Sequence, residues 1–271
     1  MYWDTAEGLP SLAAAPSEVS CGLVALIGDA PHAWTMVNTL RRKFGDFPVI
    51  VERGEPSSKF WARRRKMLGH SAVLSQKAAM LAAKLTKPLS RARLAELRVE
   101  CDARPIDGSS RRDVASANDP DAIRMLRAMK PKAVFVASTG LLRKPLLEAL
   151  DCPVVNYHSG VNPTYRGING GYYALANGEP ERFGVTLHLV DRGVDTGAIL
   201  ATNTIKTGQR DNMQTYITLM AARSQDLVVE TMTRVLEGDC STLQPSDAPS
   251  KQYFAPTLGE YLKNGFARGV W

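Results

Sequence analysis

The 271-residue sequence predicts an α/β protein: a mostly parallel sheet with helices on both faces, plus a short C-terminal extension. Three observations carry the prediction. Several short runs are apolar throughout instead of alternating, as strands buried on both faces are. Helix-prone stretches between them open near proline and close near glycine. From residue 120 onward the two kinds of segment alternate β-α-β at short intervals.

Residues 21–28, CGLVALIG, end in glycine and read as the first buried strand. Pro31 suits the first turn of a helix, where its missing N–H has no partner to lose; the helix reaches Phe44 and Gly45 stops it. Residues 47–51 are a second strand. Residues 58–97, rich in Ala, Leu, Lys and Arg, read as helix broken near Gly69 and Pro88. Residues 102–119 are polar and turn-rich, a loop by composition. There follow a helix over 120–129, a strand over 133–137, a short helix over 145–150 and a strand over 153–156, whose first residue tolerates proline. A helix over 170–176, strands over 184–190 and 199–205, and one long helix over 211–236 complete the series, with Asp211 as N-cap and Gly238 as stop. Residues 1–20 read as a tail and 21–240 as the domain. Residues 241–271, with Pro245, Pro249 and Pro256, read as an ordered arm or a homodimerisation piece.

The net charge of +7, from 34 basic and 27 acidic residues, suits nucleic acid, a small anionic substrate or a polyanionic cofactor equally. The basic clusters Arg41-Arg42-Lys43 and Arg63-Arg64-Arg65-Lys66 fall in predicted helices without interleaved aromatics, so they read as solvated faces. Aromatics make up 7 %, too few to suggest a stacking surface, and nucleic acid is disfavoured. No apolar run approaches the roughly 20 residues of a membrane helix, and residues 1–20 lack the basic start and apolar core of a signal peptide. The expectation is a cytoplasmic protein without a membrane partner. Cys21, Cys101, Cys152 and Cys240 are scattered, with no CxxC pair or histidine at zinc spacing, so free thiols and no metal site are expected.

Two of the four histidines, His158 and His188, fall in the window 156–200, which concentrates polar groups where strands end. Asn156 and His158 lie two apart on an extended strand, so their side chains leave on one face. A carboxamide beside an imidazole can steady an oxyanion while the imidazole moves a proton. The sharp turn after His158 predicts an imidazole exposed at a loop edge. Asp195, in the Gly-rich loop 191–197, can orient or charge-stabilise His158, or hold a relaying water. Singly, each residue suits a structural role as well: a satisfied histidine, a turn-forming aspartate, and, for His188 in its alternating strand, a core position. Arg166-Gly167 and Gly170-Gly171 punctuate a loop-to-helix junction with free N–H groups.

In order, Asn156-Tyr-His158-Ser-Gly-Val-Asn-Pro163, Tyr165-Arg-Gly167, Asn177-Gly178, Gly184-Val-Thr-Leu-His188 and Val194-Asp195-Thr-Gly197 resemble the signature of the formyl transferase family. That family includes glycinamide ribonucleotide formyltransferase, the catalytic domain of methionyl-tRNA formyltransferase, and sugar N-formyltransferases. The resemblance extends more faintly over residues 130–236 and fades toward the N-terminus. It implies a Rossmann-like fold and transfer of a formyl group from 10-formyltetrahydrofolate, as co-substrate, to an amine; the acceptor expected is a small primary amine such as a nucleotide-linked amino sugar, anionic in keeping with the net charge. It further implies that Asn156 and His158 stabilise the tetrahedral intermediate and shuttle its proton, with Asp195 positioning His158 or the relaying water. Leu141 and Leu142, with Asp191, Val194 and Gly197, would hold the pterin.

The chain departs from the family in two places. Where members carry Pro-Ser-Leu-Leu-Pro after the histidine, it has Ser159-Gly160-Val-Asn-Pro163, so a polar contact two residues after His158 is missing. The Gly-rich phosphate loop of the ribonucleotide enzyme is replaced by Gly28-Asp-Ala-Pro-His32, which disfavours the same-class alternative, phosphoribosylglycinamide. The same turn lacks G-x-G-x-x-G and argues against a nicotinamide-dependent oxidoreductase. A tRNA enzyme of the family carries a further C-terminal domain; here about 35 residues follow the long predicted helix, and transfer RNA is disfavoured as the acceptor. A non-catalytic folate- or nucleotide-binding protein is disfavoured because Asn156, His158 and Asp195 are all present.

Overall fold

Six consecutive buried residues form β1 (Leu23–Gly28), and their alternation divides the core in two. Leu23, Ala25 and Ile27 join one apolar cluster, Val24 and Leu26 another, so helices cover the sheet on both faces as predicted. The computed structural model describes residues 21–244 and 247–271; the tail assigned to residues 1–20, and Pro245 of the arm, lie outside the described residues.

From β1 the chain enters α1 (Pro31–Phe44), closed by Gly45 at φ 78°, then β2 (Val49–Glu52). The helical stretch resolves into α2 (Ser57–Leu68), α3 (His70–Leu85) and α4 (Arg91–Val99), broken at Gly69 and, by a 3-10 turn, at Lys87–Ser90. Next come β3 (Arg111–Val114), α5 (Pro120–Ala128), β4 (Ala133–Ala137), α6 (Lys144–Leu147), β5 (Val154–His158), β6 (Tyr165–Gly167) and α7 (Gly170–Ala176). β7 (Gly184–Leu189), β8 (Ile199–Thr204), α8 (Tyr216–Arg223), α9 (Gln225–Leu236), β9 (Lys251–Tyr253) and α10 (Leu258–Arg268) complete the chain. The seven-stranded sheet has the order β3-β2-β1-β4-β5-β7-β8, parallel from β3 through β5 and antiparallel at β7 and β8. α1, α8 and α9 cover the face of Leu23 and Ile27, while Leu126 of α5 and Leu146 of α6 cover the other. Among the described residues no helix is long and apolar enough to cross a membrane.

The sequence reading needs two corrections. Residues 111–114 form an edge strand inside the presumed loop, paired in parallel with β2. Their charges disguised them: an edge strand tolerates Arg-Arg-Asp, and the Arg111 guanidinium pairs with Asp113 while lying 5.3 Å from the Trp34 ring centroid. The long helix over 211–236 is two helices. Ser224 leaves the helical path at φ −121° and turns its hydroxyl back to the Met220 carbonyl at 2.7 Å, a local competitor of the helix ladder. Asp211 is not an N-cap; it accepts from Gly208 N and pairs with Arg93, and α8 begins five residues later.

The C-terminal arm folds back on its own chain. β9 pairs with β6 in a two-stranded sheet, and α10 opens on a capping box between Thr257 and Glu260. Tyr253 stacks between Tyr165 and Tyr173 at 5.4 and 4.3 Å, which fixes the arm beside the loop after β5.

Candidate active site

A cavity of about 610 Å³ opens where β4, β5 and β7 meet the loops 138–142, 167–171 and 190–195. Asn156, His158, Asp195, Leu141, Leu142, Asp191 and Val194 all line it, as does His188. Gly197 does not line it. It has a packing role: a Cβ there would stand 1.6 Å from the Leu189 carbonyl, so the residue lets the loop close against β7.

Strand register assembles the polar corner. β5 and β7 pair antiparallel with Asn156 directly opposite His188, which puts amide and imidazole on one face. The Asn156 amide nitrogen lies 3.1 Å from His188 Nε2 and donates to Asp195 Oδ1 at 3.2 Å. His188 Nδ1 donates to the Leu189 carbonyl at 2.8 Å, so its other nitrogen faces Asn156 and Asp195. Asp195 Oδ2 accepts from Gly167 N at 2.9 Å and lies 3.5 Å from His158 Nδ1. The Asp195 carbonyl accepts from Asn162 Nδ2. Four residues from three strands, Asn156 and His158 of β5, Gly167 of β6 and His188 of β7, therefore converge on one carboxylate.

The expectation that His158 stands exposed at a loop edge is overturned. It is the last residue of β5, 6 % exposed, and its Nε2 donates to the Tyr165 carbonyl at 2.8 Å. Gly160 is the reason: a Cβ there would lie 2.4 Å from that carbonyl oxygen and 2.6 Å from His158 Nε2. The departure from the family's serine thus lets the loop fold over the imidazole. Thr186 holds the fold-over, accepting from Asn162 N and donating to the Gly160 carbonyl.

Electrostatics follow from the enclosure. Burial pushes His158 below its ordinary value, and the adjacent Asp195 only partly offsets this, so the ring is neutral near pH 7. Burial alone would raise Asp195; the His188 hydrogen bond, His158 and the Gly167 N–H outweigh it and hold the carboxyl low, at about 2. Asp195 also carries φ 51°. Of the four described non-glycine residues with positive φ, three, Ser138, Asn169 and Asp195, line the cavity. Each conformation costs of order 1–3 kcal/mol and persists where surrounding contacts over-determine it.

The Leu141–Leu142 loop forms a second wall. Leu142 is buried and Leu141 half exposed, giving an apolar edge beside Val190 and Val194. The loop is tied across the sheet: Gly140 N donates to Glu52 Oε2 at 2.7 Å and Ala117 N to Oε1 at 2.9 Å. At the loop's foot Asp191 Oδ1 accepts from Gly193 N and Thr196 Oγ1, closing a short turn under Val194.

His188, Thr186 and Gly167 were missed as contributors. The Gly-x-Thr-x-His pattern carried the signal for the first two, but only the register shows that Asn156 is its partner. The sequence marks Arg166-Gly167 as a junction with free N–H groups, but not its partner Asp195, because the position of Gly167 depends on β9, some 85 residues away; a Cβ there would strike the Tyr253 carbonyl at 2.4 Å.

Comparison with known proteins bears on the family and the fold. Residues 69–236 match the family described as formyl transferase. A methionyl-tRNA formyltransferase of Thermodesulfovibrio yellowstonii is 31 % identical over 158 residues, 56 % of this chain and 50 % of that protein. The chain spans about half the length of the curated relatives it matches. Among solved structures, a sugar N-formyltransferase from Shewanella sp. aligns at TM-score 0.55 and 12 % identity, over 85 % of this chain and 76 % of that one. An N-formyltransferase from Helicobacter canadensis in complex with folinic acid and dTDP-3-aminofucose aligns at TM-score 0.50 and 13 % identity, over 85 % and 70 %. At such identities the superpositions show the shared fold alone.

Proposed function

The chain belongs to the formyl transferase family, and we propose that it transfers a formyl group from 10-formyltetrahydrofolate to the primary amine of a small metabolite. One observation carries the reading: Asn156, His158 and His188 converge on Asp195 inside a single cavity, with the apolar Leu141–Leu142 loop as a neighbouring wall. The apolar edge formed by Leu142, Val190 and Val194 suits a flat heteroaromatic ring, and the volume accommodates one together with a small amine.

The donor supplies an activated formyl carbon; the amine nitrogen bonds to it, the bond to the donor's N10 breaks, and the amine's proton leaves with N10. The chain's residues orient and carry that proton. Asn156 holds its two amide N–H groups on Asp195 and His188, and hands one of them to the formyl oxygen as charge develops there. His158 is neutral and bound at Nε2, so Nδ1, facing Asp195, is the nitrogen that takes the proton. Asp195, ionised at neutral pH, stabilises the imidazolium so formed.

The test is turnover of 10-formyltetrahydrofolate by the intact chain over an amine panel, together with melting midpoints in 5-formyltetrahydrofolate. His158→Ala should lower turnover by about 10²–10⁴ and keep the folate-dependent rise in midpoint. No folate response in the unaltered protein would overturn the assignment.

A further inference from the structure

The wall facing the polar corner is built of a different material. Met213, Tyr216, Ile217 and Met220 turn carbon and sulfur toward the cavity from α8 and the turn before it. Met220 packs so closely on α7 that a Cβ on Gly171 would come within 2.1 Å of its terminal methyl, so its side chain is fixed against that helix. The hydroxyl of Tyr172, beside it, is taken up by Asn264 Nδ2 at 3.0 Å.

Among the described residues that line the cavity there is no lysine or arginine, while two carboxyl groups, Asp191 and Asp195, are present. Residues 1–20 contain no lysine or arginine either. Arg166, next to Gly167, spends its Nε on Ser250 and an amino group on the Val194 carbonyl. The crevice between β1 and β4, where a doubly wound sheet takes phosphate, is shut. A Cβ on Gly28 would lie 2.2 Å from the Ser138 carbonyl, and His32 is hydrogen-bonded to the Ser138 hydroxyl across the gap. At the start of α1, Pro31 offers no N–H, and the Asp29 side chain, held by Trp34 Nε1 at 2.7 Å, brings an acid where an anion would sit. The chain's excess positive charge therefore lies elsewhere, on α1 and α2.

We infer that the acceptor carries its amine on an apolar, phosphate-free body, a small aliphatic or aromatic primary amine, with Met213, Ile217 and Met220 as the residues that select it. The inference rests on the formyl-transfer reading above and narrows its acceptor away from the anionic, nucleotide-linked class suggested by net charge and by the dTDP-sugar of the Helicobacter neighbour. A diphosphate entering this cavity would lose its hydration and meet carboxyl groups without a compensating cation.

The test measures melting midpoints of the intact protein in saturating 5-formyltetrahydrofolate, with dTDP, inorganic pyrophosphate, or one of phenethylamine, tyramine and hexylamine added. At least one amine should add about 3 °C or more near tenfold above its dissociation constant, with dTDP and pyrophosphate adding nothing. A rise with dTDP or pyrophosphate overturns the inference, as does the absence of any rise with the three amines. Ile217→Lys, or Met213→Lys should the first fold poorly, should confer a dTDP response; a folded variant without one also counts against it. Loss of the 5-formyltetrahydrofolate response itself would instead overturn the formyl-transfer reading.

Discussion

On one side of the cavity Asn156, His188 and Asp195 spend their polar atoms on one another, and Gly167 and Asn162 hold the aspartate from outside. On the other side the lining side chains of Met213, Ile217 and Met220 are apolar. The first wall is a network whose members depend on each other, so removing one leaves a buried partner unsatisfied. The second is selected by shape and polarity, where single changes act independently. On the proposed reading, chemistry falls to the first wall and selectivity to the second, and substitutions can break that division.

The largest effect is expected at His158. His158→Ala should lower kcat by about 10²–10⁴, the range of general acid–base catalysis, with the folate midpoint response kept; a kcat within a few-fold of the parent would remove His158 from the chemistry. Asp195→Asn keeps the shape but removes the charge facing two imidazoles, and a loss of about 10² in kcat is expected, with KM little changed. An effect on KM alone would make Asp195 a binding residue. Gly197→Ala tests the packing of the same corner: with the Leu189 carbonyl in the way, it should destabilise the fold by about 1–3 kcal/mol, read as a lower denaturation midpoint.

A smaller effect concerns pH. Burial holds His158 below 6.5 and His32 at about 4. The unfolded chain takes up these protons near pH 6.5 while the folded one resists them, so stability is complete above that value and is lost as pH falls toward 4. Asp195 acts in a separate window, since its low value withdraws stability only as pH drops from about 3.8 toward 2. The slope of stability between pH 7 and 5 should flatten in His32→Asn, and an unchanged slope would contradict the assignment. Ile217→Ala, on the apolar wall, should change acceptor KM by about tenfold or less and leave kcat near its parent value; a collapse of kcat would join the two walls into one network.

Much of this was legible in the chain. The apolar runs at 133–137 and 153–156 carried the buried strands, because residues enclosed on both faces must be apolar throughout. The edge strand β3 was not legible, since water covers one side of it and permits Arg111-Arg112-Asp113. The break at Ser224 was hidden because helical periodicity continues through it while one hydroxyl reverses the backbone preference. In the site, Asn156, His158 and Asp195 were found through motif order. The roles of Gly160 and Gly167 were not, because each depends on a carbonyl brought in by tertiary contact: the Tyr165 oxygen over one, the Tyr253 oxygen over the other.

Glu52 gives the fold a dependency that the motifs do not show. Its two oxygens hold the loops after β3 and β4 from a strand separated from β4 by β1. The stretch that matches the family starts at residue 69, so it omits both Glu52 and β1. A chain cut to that stretch would keep Asn156, His158 and Asp195, and the two hydrogen bonds by which Asn118 holds Leu141 and Arg143, yet lose the tie from Gly140 to Glu52. The recognisable part of this protein thus leans on the part before it, through a side chain on β2.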